Sequence, residues 1–262
     1  MKVFALSVLL TMGIGIAAQA QTPASAPVAP PTIDPQALDS TRQLLDWLGV
    51  DGLIEQTPQI LDQALQSEAK FRSATPPQQA EWRQRLAPKI NPTTLRERIA
   101  RRVVQQLDTP TLRQSLALLQ APLPRRARYF ELALAQAGAG RGFQVFLAGL
   151  DAEPPAPARR KLIRTISTAS GNAALLAQWQ TAISAEVART AGGNQPALSA
   201  GLEEEIKERE RYLAPLAEVY ALYAYRYLTD EELATYRDTL NSAAIQRVLE
   251  VCHRNLAQAF TE

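Results

Sequence analysis

The chain has 262 residues, with 28 Lys and Arg against 26 Asp and Glu and a formal net charge of +2. That length bounds the fold to one substantial domain or two small ones, and near-neutrality argues against a general nucleic-acid binder. Cys252 is the single cysteine, which excludes an internal disulfide and leaves packing as the source of stability.

Residues 1–20 read as a cleaved signal peptide. Lys2 is a short positive region, residues 3–17 are almost free of polar groups, and Ala18-Gln19-Ala20 is a small-x-small cleavage site. The mature chain is expected to begin at Gln21 and to be exported, with the periplasm of a Gram-negative envelope as its compartment. No Cys follows the apolar run to take a lipid, and no later run approaches membrane-spanning length. The mature chain is therefore expected to have no membrane span. Residues 21–35, QTPASAPVAPPTIDP, read as a Pro/Ala-rich linker.

Residues 36–150 read as a first helical repeat. Asp34-Pro35 is a cap with Pro at the first helical position, and Leu38, Leu45 and Leu48 point inward before Gly49 ends the helix. The next helix starts at Asp51 and carries Leu53, Ile54, Leu61, Leu65 and Phe71. Pro58 within it predicts a kink, or a restart capped by Thr57. Thr75-Pro76 and Asn91-Pro92 start two more helices. A helix pair begins near Leu107 and ends at residues 138–142, and residues 143–150 form a short amphipathic piece. Residues 151–158, DAEPPAPA, are a Pro-rich connector.

Residues 159–262 read as a second, divergent copy. At an offset of 122, Gly49, Leu53, Ile54 and Leu61 match Gly171, Leu175, Leu176 and Ile183. At an offset of 121, Leu107, Leu112, Leu119 and Arg126 match Leu228, Leu233, Leu240 and Arg247. A long helical stretch from Ser199 to Leu228 is expected to be interrupted or bent at Pro215. Thr229-Asp230-Glu231-Glu232 is a capping box, and Asn241-Ser242 breaks that helix and caps the last one. Ile245, Val248, Leu249, Cys252 and Leu256 continue at helical spacing. No run of alternating β-branched residues demands a sheet. The expected fold is all-α, two copies of a multi-helix unit packed as one helical body. Residues 37–150 hold 15 basic against 10 acidic side chains, and residues 151–262 hold 12 against 15. Opposite signs favour docking of the halves, and equally head-to-tail self-association.

The C-terminal pair, L-T-x-x-E-L at Leu228–Leu233 followed by a Ser-containing turn and a second helix, resembles an exported bacterial helical family, domain of unknown function 2059. The segment RKLIRTISTASGNAALL is similar to the helix preceding that pair in the family. The resemblance covers roughly residues 160–260. Where the family's turn has Gly after the Ser, this chain has Ser242-Ala243-Ala244. The resemblance implies an exported helical fold and brings no activity or catalytic residues.

The residues offer no catalytic constellation. Ser67-x-x-Lys70 and Ser170-Gly171-Asn172 fit two short patterns of penicillin-recognising enzymes, but the third, K-T-G on a strand, is absent. Cys252 and His253 are adjacent on a helix and point about 100° apart, so they cannot act as nucleophile and base. One Cys and one His leave a transition-metal site resting on carboxylates. No cofactor or metal is expected. Gly138-Ala139-Gly140-Arg141-Gly142 follows a helix rather than a strand and reads as a terminator. Arg96, Arg98, Arg101 and Arg102, and Arg159, Arg160, Lys161 and Arg164, form basic runs. Glu203, Glu204, Glu205, Glu208 and Glu210 form an acidic one. Such runs are commonly solvated faces, and the sharper reading has the basic and acidic faces meeting. Tyr212, Tyr220, Tyr223 and Tyr227 share one side of a helix, and amphipathic stripes generally face cores. The functional alternative is a ligand groove lined by Tyr220, Tyr223 and Tyr227. The expected function is non-enzymatic interaction with an envelope protein partner. The alternative is binding of a small apolar or amphipathic ligand between the repeats.

Overall fold

Short punctuators at the predicted places divide the chain into helices. The computed structural model describes residues 33–137, 140–192 and 195–260, so the expected signal peptide and most of the expected linker lie outside the described residues. Among the described residues there are fourteen helices and no strand, and the all-α expectation holds. The helices are α1 (Pro35–Trp47), α2 (Val50–Glu55), α3 (Thr57–Ser67), α4 (Ala69–Ser73), α5 (Pro76–Leu86), α6 (Pro92–Gln106), α7 (Thr109–Leu119) and α8 (Pro122–Ala137). They continue with α9 (Arg141–Gly149), α10 (Pro157–Ser170), α11 (Asn172–Thr190), α12 (Gln195–Ala224), α13 (Asp230–Leu240) and α14 (Ala243–Ala257).

The starts follow polar-residue-then-Pro chemistry. Asp34 accepts from the Gln36 N–H at 3.0 Å, Asn91 from Thr94 at 3.1 Å, and Asp108 from Thr111 at 2.7 Å. These bonds satisfy donors that a helix leaves unpaired at its first turn. The Thr229 capping box forms in full: Glu232 N–H donates to the Thr229 hydroxyl at 3.2 Å, and Thr229 N–H to the Glu232 carboxylate at 2.9 Å. Gly49 and Gly171 stand between consecutive helices at φ +77° and +66°, a conformation costly for any residue with a Cβ.

Three local expectations are corrected. The chain restarts, but Thr57 is the first residue of the new helix and does not cap it. Its buried hydroxyl bonds back to the Leu53 carbonyl and accepts from Trp179 Nε1 at 3.1 Å. Pro215 does not interrupt the long helix: it lies inside α12, which continues through it. Ser242 occupies the N-cap of α14 without a capping hydrogen bond.

The described residues from 33 to 260 cluster as one compact unit, with a continuous apolar core. Helix α1 packs on α6 and α7, and α10 packs on α12 and α13. The last long helices cross over. Helix α14 packs on α6 and α7, and α8 packs on α12 and α13. Helices α3 and α11 meet between them. The charged runs do not pair as faces. Arg96 pairs with Asp51 and Glu55, Arg101 with Glu97, Arg159 with Asp230 and Arg164 with Glu218, while Glu204 and Glu205 pair within α12. Arg98 and Arg102 instead donate to the Ala259 and Gln258 carbonyls at 2.8 and 3.0 Å. They thus serve the carbonyl end of α14, where cations are favoured.

Candidate functional site: an aromatic face on α8, α9 and α12

The end of α12 is apolar on opposite sides, and only one side goes inward. Leu222 and, just past the helix, Tyr225 and Leu228 enter the core. Tyr225 is held there by Glu131 of α8. Its hydroxyl donates to the Glu131 carboxylate, Tyr236 of α13 donates to the same oxygen at 3.2 Å, and Arg128 pairs with the other at 3.1 Å. Burial and the neighbouring carboxylate push both tyrosines well above the usual phenol range. A buried phenol needs such a partner, and Glu131 supplies it on this side only.

The predicted core seam of tyrosines is therefore corrected. The other side turns to solvent: Tyr212 is 73% exposed, Tyr220 44% and Tyr227 69%, while Tyr223 is half-buried. A stripe at helical spacing cannot choose between two apolar sides of one helix. All seven large hydrophobic side chains that are exposed among the described residues lie on α8, α9, α12 or the turn after α12. They are Tyr129, Leu132, Val145, Tyr212, Leu216, Tyr220 and Tyr227.

Ring contacts join this face into a strip. Tyr129 lies 5.9 Å from Phe130, and Phe130 lies 6.1 Å from Tyr227. The Arg226 guanidinium lies over Tyr227 at 4.3 Å and over Tyr223 at 3.8 Å. Tyr223 meets Phe143 at 5.3 Å and Phe146 at 5.2 Å, and Phe143 stacks on Tyr220 at 4.7 Å. A cavity of about 200 Å³ opens between Phe130, Leu134, Gly142, Phe143, Tyr223 and Arg226. Gly142 allows this approach, because a Cβ there would stand 2.7 Å from the Tyr223 hydroxyl oxygen. The sequence singled out Tyr220, Tyr223 and Tyr227. It missed Tyr129, Phe130, Phe143, Phe146 and Arg226, which come from other helices or from the following turn and carry no shared spacing.

The other candidates stay apart. Cys252 is fully buried, and burial pushes its thiol up to about 12, the reverse of an activated nucleophile. His253 Nδ1 lies 3.0 Å from Gln178 Oε1, and its Nε2 edge abuts Gly171. The Ser67 hydroxyl donates to the Gln63 carbonyl at 2.9 Å and Lys70 to the Ala191 carbonyl at 3.2 Å, so they do not form a pair. Among the described residues, no three His, Cys, Asp or Glu side chains converge to hold a metal ion. None of the described helices is long and apolar enough to cross a membrane. Comparison of the chain with protein-family models, with curated proteins and with solved structures found no match in any of the three.

Proposed function

We propose that the protein is an exported, non-enzymatic recognition module of the cell envelope, and that the aromatic face of α8, α9 and α12 is where it meets a protein partner. One observation carries the reading: every large hydrophobic side chain exposed among the described residues lies on those helices or on the turn after α12. Clustered exposed apolar side chains commonly mark interaction sites. Tyr and Arg are the side chains enriched among residues that dominate binding energy, and here they are already stacked on one another. The signal-like residues 1–20 support export, and the likeness to domain of unknown function 2059 supports an envelope setting. The two-copy organisation belongs to the same proposal. The spacing of α7 and α8 from α13 and α14, and the recurrence of left-handed Gly49 at Gly171, favour it.

A photo-crosslinking side chain at position 220 or 227 tests the site in native extract, with exposed Gln84 on α5 as the control position. Adducts with one discrete protein from 220 and 227, and none from 84, are expected. Equal labelling from all three positions overturns the reading. For export, N-terminal sequencing is expected to find Gln21 first, and a terminus retaining residues 3–17 overturns that part.

A second reading is favoured by the cavity beside Tyr223. It lies between α8 and α9 of the first segment and the end of α12 of the second, the position expected for a small apolar or amphipathic ligand held between the repeats.

A further inference from the structure

Resting on that second reading, we propose that the cavity takes a small amphipathic anion: an aromatic or branched aliphatic carboxylate whose apolar body fills the cavity while its carboxylate meets Arg226. Among the described residues Arg226 has no carboxylate partner, whereas nearby Arg128 is paired with Glu131. Arg226 is exposed, so its charge stands at the rim. One N–H donates to the Tyr223 carbonyl at 2.6 Å, and the rings of Tyr223 and Tyr227 fix the guanidinium from 3.8 and 4.3 Å. A guanidinium presents five N–H donors in a planar fork that matches a carboxylate. Held by stacking, it loses less freedom on binding than a free side chain does.

Size and charge narrow the ligand. The cavity holds about 200 Å³. An apolar cavity of about 150 Å³ accommodates benzene, so one ring or a short branched chain fits and a long acyl chain does not. Phe130, Leu134 and Phe143 supply apolar walls, and Arg226 is the one charged side chain among the described lining residues. A cationic ligand would be repelled there. A neutral one would forgo the charge-assisted bonds that are roughly twice as strong as neutral ones.

The experiment titrates the full chain with phenylacetate, phenylacetamide and 2-phenylethylammonium, followed by ligand-observed NMR and calorimetry. Phenylacetate is expected to bind at least about tenfold more tightly than the other two, the scale of a charge-assisted hydrogen bond. Arg226→Gln, on an exposed side chain, is expected to erase the preference for acid over amide. Leu134→Trp is expected to abolish binding of all three, with circular dichroism and melting confirming that both variants fold. Equal binding of acid and amide to the unaltered protein overturns the anion assignment and leaves the cavity a ligand site. An acid preference that survives Arg226→Gln also overturns it. Binding of no probe at millimolar concentration overturns both the assignment and the ligand reading.

Discussion

The thiol of Cys252 lies in the stripe of Ile245, Val248, Leu249 and Leu256 without solvent exposure, and its proton is held by burial alone. Native protein at pH 8 is expected to resist iodoacetamide and to react only after denaturation. Cys252→Ala is expected to keep the fold at a cost of about 1 kcal/mol. Rapid labelling of native protein would contradict the core assignment. The neighbouring His253 behaves differently, because burial holds its imidazole below the ordinary value of 6.5. The unfolded chain therefore binds more protons than the folded one as pH falls through 6.5. The contribution of neutral His253 is present above that pH and is lost as pH drops towards the folded value. Melting temperature is expected to fall on acidification through 6.5, and His253→Gln is expected to flatten that part of the profile. An unchanged slope in the variant would place the titration elsewhere. Spacing alone made the burial of Cys252 legible, since every residue in its stripe lies on one helix. The partners of His253 were not legible, because Gln178 and Gly171 reach it from 75 and 82 positions away in sequence. The outward turn of Tyr220 and Tyr227 was hidden for the same reason. It depends on Glu131, 94 residues from Tyr225, taking the inner tyrosine.

Helix ends were the most legible elements, because caps and Pro act within a few residues. Asp34, Asn91 and Thr229 all cap where the local chemistry indicated. Ser242 fits the same local rule yet makes no such bond; its hydroxyl is buried without a partner among the described residues. Gly49 and Gly171 give a direct comparison of two equivalent-looking turns. Both adopt left-handed φ, which costs an L-residue about 1–2 kcal/mol. An added Cβ at Gly49 would make ordinary contact with Arg128 Nη1 at 3.6 Å, whereas one at Gly171 would press His253 Nε2 at 3.0 Å. Gly171→Ala is therefore expected to cost more than Gly49→Ala in denaturant unfolding, and to shift the His253 imidazole resonances. Equal costs with unmoved resonances would show that His253 yields freely. The short helix α4, Ala69–Ser73, had no separate signal. A five-residue helix has too few positions to display a period.

At the scale of the whole molecule, the crossing of the last helices decides whether the halves can be parted. Helix α8 lies on α12 and α13 while α14 lies on α6 and α7 as well as on α11, so each segment's apolar stripe is covered in part by the other. Polar ties follow the same crossing. Trp179 donates to Thr57 at 3.1 Å, Lys89 meets the buried Glu186 at 2.6 Å, and Gln106 Nε2 donates to the buried Asn255 at 3.1 Å. Arg126 pairs with Glu232, and Arg98 and Arg102 hold the carbonyl end of α14. The opposite charge balance of the halves, read as a docking force, is realised through these individual contacts rather than through two charged faces. Separation would expose both stripes to water, and would leave Glu186 and Asn255 without those partners, where losing a partner of a buried polar group costs about 1–3 kcal/mol. Full-length protein is expected to unfold in one cooperative transition. Leu119→Ala and Leu240→Ala, both buried, are each expected to lower its stability by about 2–5 kcal/mol. Residues 36–150 and 158–262 expressed separately are expected to lack cooperative unfolding, and to regain helical content and a sharp melt when mixed. If each piece melts alone with the stability it has in the full chain, the crossing contributes nothing and the molecule is two beads on a linker.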